Sequence, residues 1–136
     1  MANQAITASE VLPGASGVFE EYTAGEAISA GEACFVAGNL ASLADNETDI
    51  ATASVRGVAM NSAASGQKVV LQTDGDWTIG ATAAMAAGDV LWLSGTPGKM
   101  CPEGDIDSTD FPTFIGMCIG GNVFRLGIKS FSVAHA

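Results

Sequence analysis

Apolar residues occur along this chain in short runs and in alternations of period two, which is the pattern of β-strands. "ACFVAG" (33–38) is an apolar run that ends at glycine, and it predicts a strand buried on both faces, with 40–44 returning as its hairpin partner. "GQKVVLQT" (66–73) and "NVFRLGIKSF" (122–131) alternate and predict half-buried strands. The pattern indicates an all-β fold of short strands joined by tight turns.

The same pattern occurs twice in the same order. The matching blocks are "AGEACFVAG" (30–38) with "AGDVLWLSG" (87–95), "VRGVAM" (55–60) with "FIGMCI" (114–119), and "KVVL" (68–71) with "VFRL" (123–126). Such self-similarity indicates two copies of one unit of roughly 55 to 60 residues. We predict pseudo-repeats at about 26–73 and 83–129 that together form one small β-barrel domain over 26–136, because closure removes exposed sheet edges.

Two features of the repeat predict local structure. Gly57 aligns with Gly116 in the middle of a strand, where glycine marks a bulge or the close approach of another backbone. Glu32 aligns with Asp89, and each directly follows a glycine that begins a strand. A carboxylate pair is a candidate for acid–base chemistry, but acceptance of backbone N–H bonds in the turn is the favoured interpretation.

Residues 1–25 lie outside the repeat and are predicted to form an extended N-terminal arm. Within the arm, "VFEEY" (18–22) has the alternation of a strand. Two interpretations stay open: an edge strand or docking segment, or the first strand of the fold.

Composition excludes several classes of protein. The chain has 5 basic and 15 acidic residues, a formal net charge of −10, so no basic surface is available for nucleic acid. No apolar window is long enough to span a membrane, and the first residues do not have the pattern of a signal peptide. We therefore expect neither nucleic acid nor a membrane as a partner.

Candidate catalytic and metal-binding residues are few. His135 is the only histidine and lies next to the C-terminus, and no nucleotide-binding, metalloprotease or serine-hydrolase motif is present. The carboxylates of the acidic segment 103–110 resemble calcium ligands, but a solvated loop is the favoured interpretation. The three cysteines, Cys34, Cys101 and Cys118, have no metal-site spacing and are predicted to be core residues. We expect no enzyme activity, no cofactor and no metal.

Four segments resemble the DUF2190 group of phage capsid cement, or head decoration, proteins. They are "AGEAISAGEACFVAGNLASLA", "SVRGVAM…ASGQKVVLQTDGDWTI", "AAMAAGDVLWLSGTPGKM" and "FIGMCIGGNVFRLGI". The resemblance covers about residues 25–128 and implies a small barrel of the β-tulip or β-clip kind. It also implies a homo-oligomer, commonly a trimer, on the outer surface of the virion, with the major capsid protein as partner and synthesis in the cytoplasm of the bacterial host.

The arm is the predicted capsid contact, through Val18, Phe19, Glu21 and Tyr22. A disordered arm that orders on the shell gives one such contact at an entropic cost.

The alternative function is a carbohydrate- or receptor-binding β module of a phage fibre or tail. Trp77, Trp92 or Tyr22 is then the stacking platform.

Overall fold

The computed structural model describes residues 6, 8–48, 50–78, 87–101, 112–120 and 123–130, and most of them lie in strands. The strands are β1 (Leu12–Pro13), β2 (Val18–Ala24), β3 (Ala33–Ala37), β4 (Leu40–Leu43), β5 (Gly57–Ala59), β6 (Lys68–Thr78), β7 (Val90–Leu93), β8 (Met100–Cys101), β9 (Thr113–Gly120) and β10 (Val123–Ser130). A 3-10 turn at Ala8–Glu10 and the one-turn helix α1 (Ile50–Ala53) are the helical elements of this part of the chain. The all-β prediction is confirmed.

The strands that the sequence repeat aligns occupy equivalent places in the sheet. The strand order is β2-β4-β3-β5-β6-β10-β9-β7-β8, so β4-β3-β5-β6 in the first half corresponds to β8-β7-β9-β10 in the second. The register agrees as well. Cys34 pairs with Gly57 in the first half, and the aligned residue Leu91 pairs with Gly116 in the second half. The predicted hairpin is also present, with β3 and β4 antiparallel around Gly38, where φ is 63°.

Five strands close into a ring. β2 pairs with β4 in parallel and with β6 in antiparallel, so the path β2-β4-β3-β5-β6 returns to its start. Four further strands extend from the second part of β6 as a sheet, β10-β9-β7-β8, and the short strand β1 pairs with the end of β6. The ring is therefore formed within the first half together with β2, and a barrel closed by both halves stays a prediction.

The predicted arm of residues 1–25 is too long, because its last part forms strand β2. Residues 18–24 pair with β6 along nearly their whole length, so they belong to the sheet and not to a free segment. Of the two interpretations of 18–22, the first strand of the ring is the one observed. The physical reason is that Tyr22 and Ala24 pack on the apolar interior of the ring, which fixes the register of β2.

Two apolar clusters form the core. The ring core fills the ring with mostly small side chains, as a five-stranded ring requires; its members are Ala24, Ile28, Cys34, Ala41, Ala59, Ala63, Val69 and Leu71. The shared core lies between the ring and the β10-β9-β7-β8 sheet and includes Trp77, Leu91, Ile115 and Phe124. In β3 and β5, neighbouring residues enter different cores: Ala33 and Val58 the shared core, Cys34 and Ala59 the ring core. The prediction that β3 is buried on both faces is confirmed for Ala33 and Cys34.

Asp74, Gly75 and Asp76 have the composition of a turn, but they lie within strand β6. Strand β6 continues through Gly75, whose φ is 89°. The strand changes partners there, pairing with β2 before the glycine and with β10 from it onwards. The Gln72 amide stabilises the irregularity by donating to the carbonyl oxygens of Asp74 at 3.0 Å and Asp76 at 2.8 Å. Aspartate and glycine therefore mark a kink within one strand.

Candidate binding surfaces

The repeated Ala-Gly-acidic turns make the same backbone contacts in both halves. Gly31 has a φ of 91° and Gly88 a φ of 96°. The Gly31 N–H donates to the carbonyl of Ala59 at 2.7 Å, and the Ala59 N–H donates to the carbonyl of Glu32 at 2.9 Å. In the second half, the Gly88 N–H donates to the carbonyl of Cys118 at 2.8 Å, and the Cys118 N–H donates to the carbonyl of Asp89 at 2.7 Å. The turns hold β3 and β7 in position, which is a structural role.

The side chain of Glu32 has the predicted function. Its Oε1 accepts the backbone N–H of Ser29 at 2.7 Å, and its Oε2 forms an ion pair with Lys99 Nζ at 3.2 Å. The carboxylate thus closes its own turn and attaches it to the loop before β8. These contacts support the structural interpretation of Glu32.

The cysteines behave as core residues. Cys34, Cys101 and Cys118 are all buried, as predicted. Burial, and after it the nearby charges of Glu32 and Glu26, raise the pKa of the Cys34 thiol to about 12. Such a thiol stays protonated at neutral pH and is a poor nucleophile.

Several predicted residues lie outside the described ranges, namely His135 and the acidic segment 103–110. Within the described ranges, no group of three or more His, Cys, Asp or Glu side chains is placed to hold a metal ion. In the same part of the chain, no helix is long and apolar enough to cross a membrane.

The three aromatic residues proposed as a sugar-stacking platform differ in how far they are buried. Trp77 is 1% exposed and lies edge-on to Phe124 in the shared core, with 5.9 Å between ring centroids. Trp92 is half-buried and lies edge-on to Phe114 at 5.4 Å. Tyr22 is half-buried and donates its hydroxyl to Glu20. Trp77 is therefore excluded as a stacking platform, because a core indole presents no face to a ligand.

Strand β2 has an open backbone edge. The Ala24 N–H donates to the carbonyl of Gln67, on the β6 side, at 2.8 Å. The N–H groups of Thr23 and Gly25 donate to the carbonyls of Asn39 and Ala41, on the β4 side. Backbone groups alternate in direction along a strand, so those of residues 19 and 21 also point to the β4 side. There the recorded pairing of β2 with β4 covers only residues 23 and 24, and no other described strand pairs with that side of 18–22.

Exposed apolar side chains surround this edge. Val18 is 52% exposed, Phe19 is 45% exposed, and Leu40, at the start of β4, is 48% exposed. We call residues 18–22 of β2 together with Leu40 the β2 edge. Val18, Phe19, Glu21 and Tyr22 are residues that the sequence predicts as contacts, whereas Leu40 is not. Leu40 follows the turn at Gly38, and its sequence context predicts only a hairpin strand. Its exposure depends on where β4 ends against β2.

A polar cluster attaches the β2 edge to the rest of the ring. The Arg56 guanidinium donates to both carboxylate oxygens of Glu20, one through Nε at 2.7 Å, and Tyr22 donates to the same carboxylate. The hydrogen bond from Arg56, followed by that from Tyr22, holds the pKa of Glu20 below its usual value. Lys68 Nζ lies 3.5 Å from Glu21, where both side chains are exposed. The cluster orders β2 while leaving Val18 and Phe19 uncovered.

Comparison with solved structures gives a structural likeness. No family model matches the chain, and no curated protein matches it. Among solved structures, it is similar to the crystal structure of the head fiber gp8.5 N base of bacteriophage phi29. The identity is 21%, the likeness covers 83% of this chain and 94% of that chain, and the TM-score is 0.48.

Proposed function

We propose that this chain is a phage virion protein that decorates and stabilises the outer surface of the capsid as a homo-oligomer, and that it acts by binding and not by catalysis. The phage assignment is supported by the resemblance of its segments to the capsid cement group. The observation that carries the binding role is the β2 edge, an open strand edge with exposed apolar side chains.

The β2 edge is suited to an extended segment of the major capsid protein. The N–H and C=O groups of Phe19 and Glu21 offer main-chain hydrogen bonds, and strand addition at such an edge gives affinity through the backbone. Val18, Phe19 and Leu40 add apolar contacts on either side. An exposed edge is a liability for a protein that has no partner for it, so an edge with this composition favours a binding function.

Assembly on a shell explains how a short contact such as the β2 edge can stabilise a capsid. A ligand that binds only the assembled shell shifts the equilibrium towards that shell by mass action. An oligomer, a trimer by the resemblance, places several β2 edges on one lattice and binds more tightly than one edge alone. The location is then the outer surface of the virion, after synthesis in the bacterial cytoplasm.

The test is a single proline in the β2 edge. Glu21→Pro removes an N–H that points away from β6, so the ring keeps its own bonds while an incoming strand loses a donor. Glu21→Ala is the matched control, since it removes the same side chain and keeps the N–H. Co-sedimentation with heads of the phage that encodes the chain should be retained by Glu21→Ala and reduced at least about tenfold in affinity by Glu21→Pro.

Two results would contradict the proposal. If the wild-type chain neither co-sediments with these heads nor raises their disruption temperature, the capsid function is wrong. If the wild type binds and both variants bind equally well, the function stands and the β2 edge is not the contact.

A further inference from the structure

The solvent-facing side of the second half is rich in apolar residues. Residues opposite one another on antiparallel strands lie on the same face of a sheet, and Val90, Met117, Arg125 and Asp76 form such a row across β7, β9, β10 and β6. Ile119 follows Met117 by two positions and shares its face. Met117 is 41% exposed and Ile119 is 38% exposed, whereas their neighbours Ile115 and Cys118 are buried.

A second row continues this face. Trp92 pairs with Phe114, and Phe114 pairs with Lys129. Trp92 and Phe114 are half-buried and belong to neither core cluster. We call the surface formed by the two rows and Ile119 the outer face. An antiparallel sheet with one face in the core usually has a polar second face, so the outer face has the composition of a surface that is covered in the assembled molecule.

The corresponding positions of the first half are covered. Val58 aligns with Met117 and is 0% exposed, and Ala33 aligns with Val90 and is also 0% exposed. Within the monomer, the shared core buries the first-half face, while the equivalent face of the second half meets solvent. The repeat therefore has an apolar surface in the second half that the described residues of the monomer leave partly exposed.

The charges on this face favour another copy of the chain as the partner. The chain as a whole carries −10, which opposes self-association through most of its surface. Arg125 Nε lies 2.9 Å from Asp76 Oδ1, so the row that contains Met117 ends in a neutral pair. When such a face meets itself about a rotation axis, Arg125 of one copy can approach Asp76 of the next, and Lys129 in the second row adds one positive charge to a chain that is negative overall.

We propose that the outer face packs against the outer face of further copies of this chain and forms its homo-oligomer interface. The proposal rests on the homo-oligomer of the proposed function and names the surface that makes it. Met117 and Ile119 lie at the centre of the contact, and the Arg125–Asp76 pair lies at its rim. The β2 edge is a separate surface that remains available for the capsid.

Sedimentation equilibrium of the full chain tests the proposal without phage heads. The wild type is expected to be an oligomer, and Met117→Glu is expected to raise the dissociation constant about tenfold or more because a charge enters an apolar contact. Leu40→Glu is the matched control: it places the same charge at an apolar residue of comparable exposure on the β2 edge, and it should leave the mass unchanged. Thermal unfolding of both variants establishes that each is folded.

Cross-linking gives a second measurement that does not depend on a destabilising charge. The three native cysteines are buried, so Met117→Cys introduces an exposed thiol that a short bismaleimide should join between copies. Leu40→Cys should remain uncrosslinked at the same concentration. A wild-type monomer at millimolar concentration, or equal cross-linking of both cysteine variants, overturns the proposal. So does a Met117→Glu variant that keeps the wild-type mass but no longer binds heads, since the outer face would then contact the capsid.

Discussion

At the scale of single residues, Gly116 shows what the repeat requires of a strand. A Cβ at Gly57 would lie 2.6 Å from the carbonyl oxygen of Gln72, and one at Gly116 would overlap the carbonyl oxygen of Arg125. The close backbone approach predicted from the aligned glycines is therefore confirmed. We expect Gly116→Ala to lower the free energy of unfolding by about 1–3 kcal/mol, the usual cost of overpacking, measured by urea denaturation.

Gly127 provides the control for this substitution. It lies on β10, where a Cβ would meet Phe114 at 3.7 Å, an ordinary contact distance. Gly127→Ala should change the free energy of unfolding by no more than about 0.5 kcal/mol. Equal losses in the two variants would mean that the close backbone approach does not determine the cost at Gly116.

Cys34 gives the molecule a pH dependence in the alkaline range. Its pKa is about 12 in the folded protein against 9.0 for an ordinary thiol, so the folded state binds the proton more tightly than the unfolded state. This contribution to stability is fully present below pH 9 and is lost as the pH rises towards 12. Wild type should thus lose more stability than Cys34→Ala between pH 8 and pH 10.5, measured by urea denaturation at each pH. Parallel curves for the two proteins would show that Cys34 ionises equally in both states.

At the scale of elements, the alternation of β2 predicts that proline destabilises the fold by different amounts at neighbouring residues. The N–H of residue 20 points to β6 and that of residue 21 points to the open side. Glu20→Pro should therefore destabilise the ring by at least about 1 kcal/mol more than Glu21→Pro, which is roughly one net hydrogen bond. Thermal or urea unfolding measures the difference. Glu20→Ala corrects for the lost contact with Arg56, and equal destabilisation by both prolines would show that the register of β2 is different.

The sequence predicts the strands better than their partners. β3, β4 and the glycine positions follow from alternation, turn residues and the repeat, which are local signals. The pairing of β2 with β6 joins residues about fifty positions apart, and the kink at Gly75 has the same aspartates and glycine as a turn. The burial of Trp77 depends on the sheet that covers it. For the candidate site, the sequence identified Val18 and Phe19, but the open side of β2 is defined only once β4 is in place.

At the scale of the whole molecule, the shared core determines how the two halves unfold. It contains Ala33 and Val58 from the ring together with Leu91, Ile115 and Phe124 from the second half. Separating the halves would expose all of these side chains to water at a cost of roughly 25 cal/mol for each Å². Neither half is thus expected to unfold while the other remains intact, and the described strands should form one cooperative unit.

Trp77 reports on this unit directly. The chain has two tryptophans, and Trp92→Phe leaves only Trp77, which lies in the shared core between the halves. In this variant, the urea midpoint from tryptophan fluorescence should coincide with the midpoint from far-ultraviolet circular dichroism, which reports all strands. Adding Leu91→Ala should lower both midpoints together, because truncating a buried leucine lowers the free energy of unfolding by about 2–5 kcal/mol. A fluorescence transition that precedes the loss of strand signal would show that the halves separate first and that the ring is stable by itself.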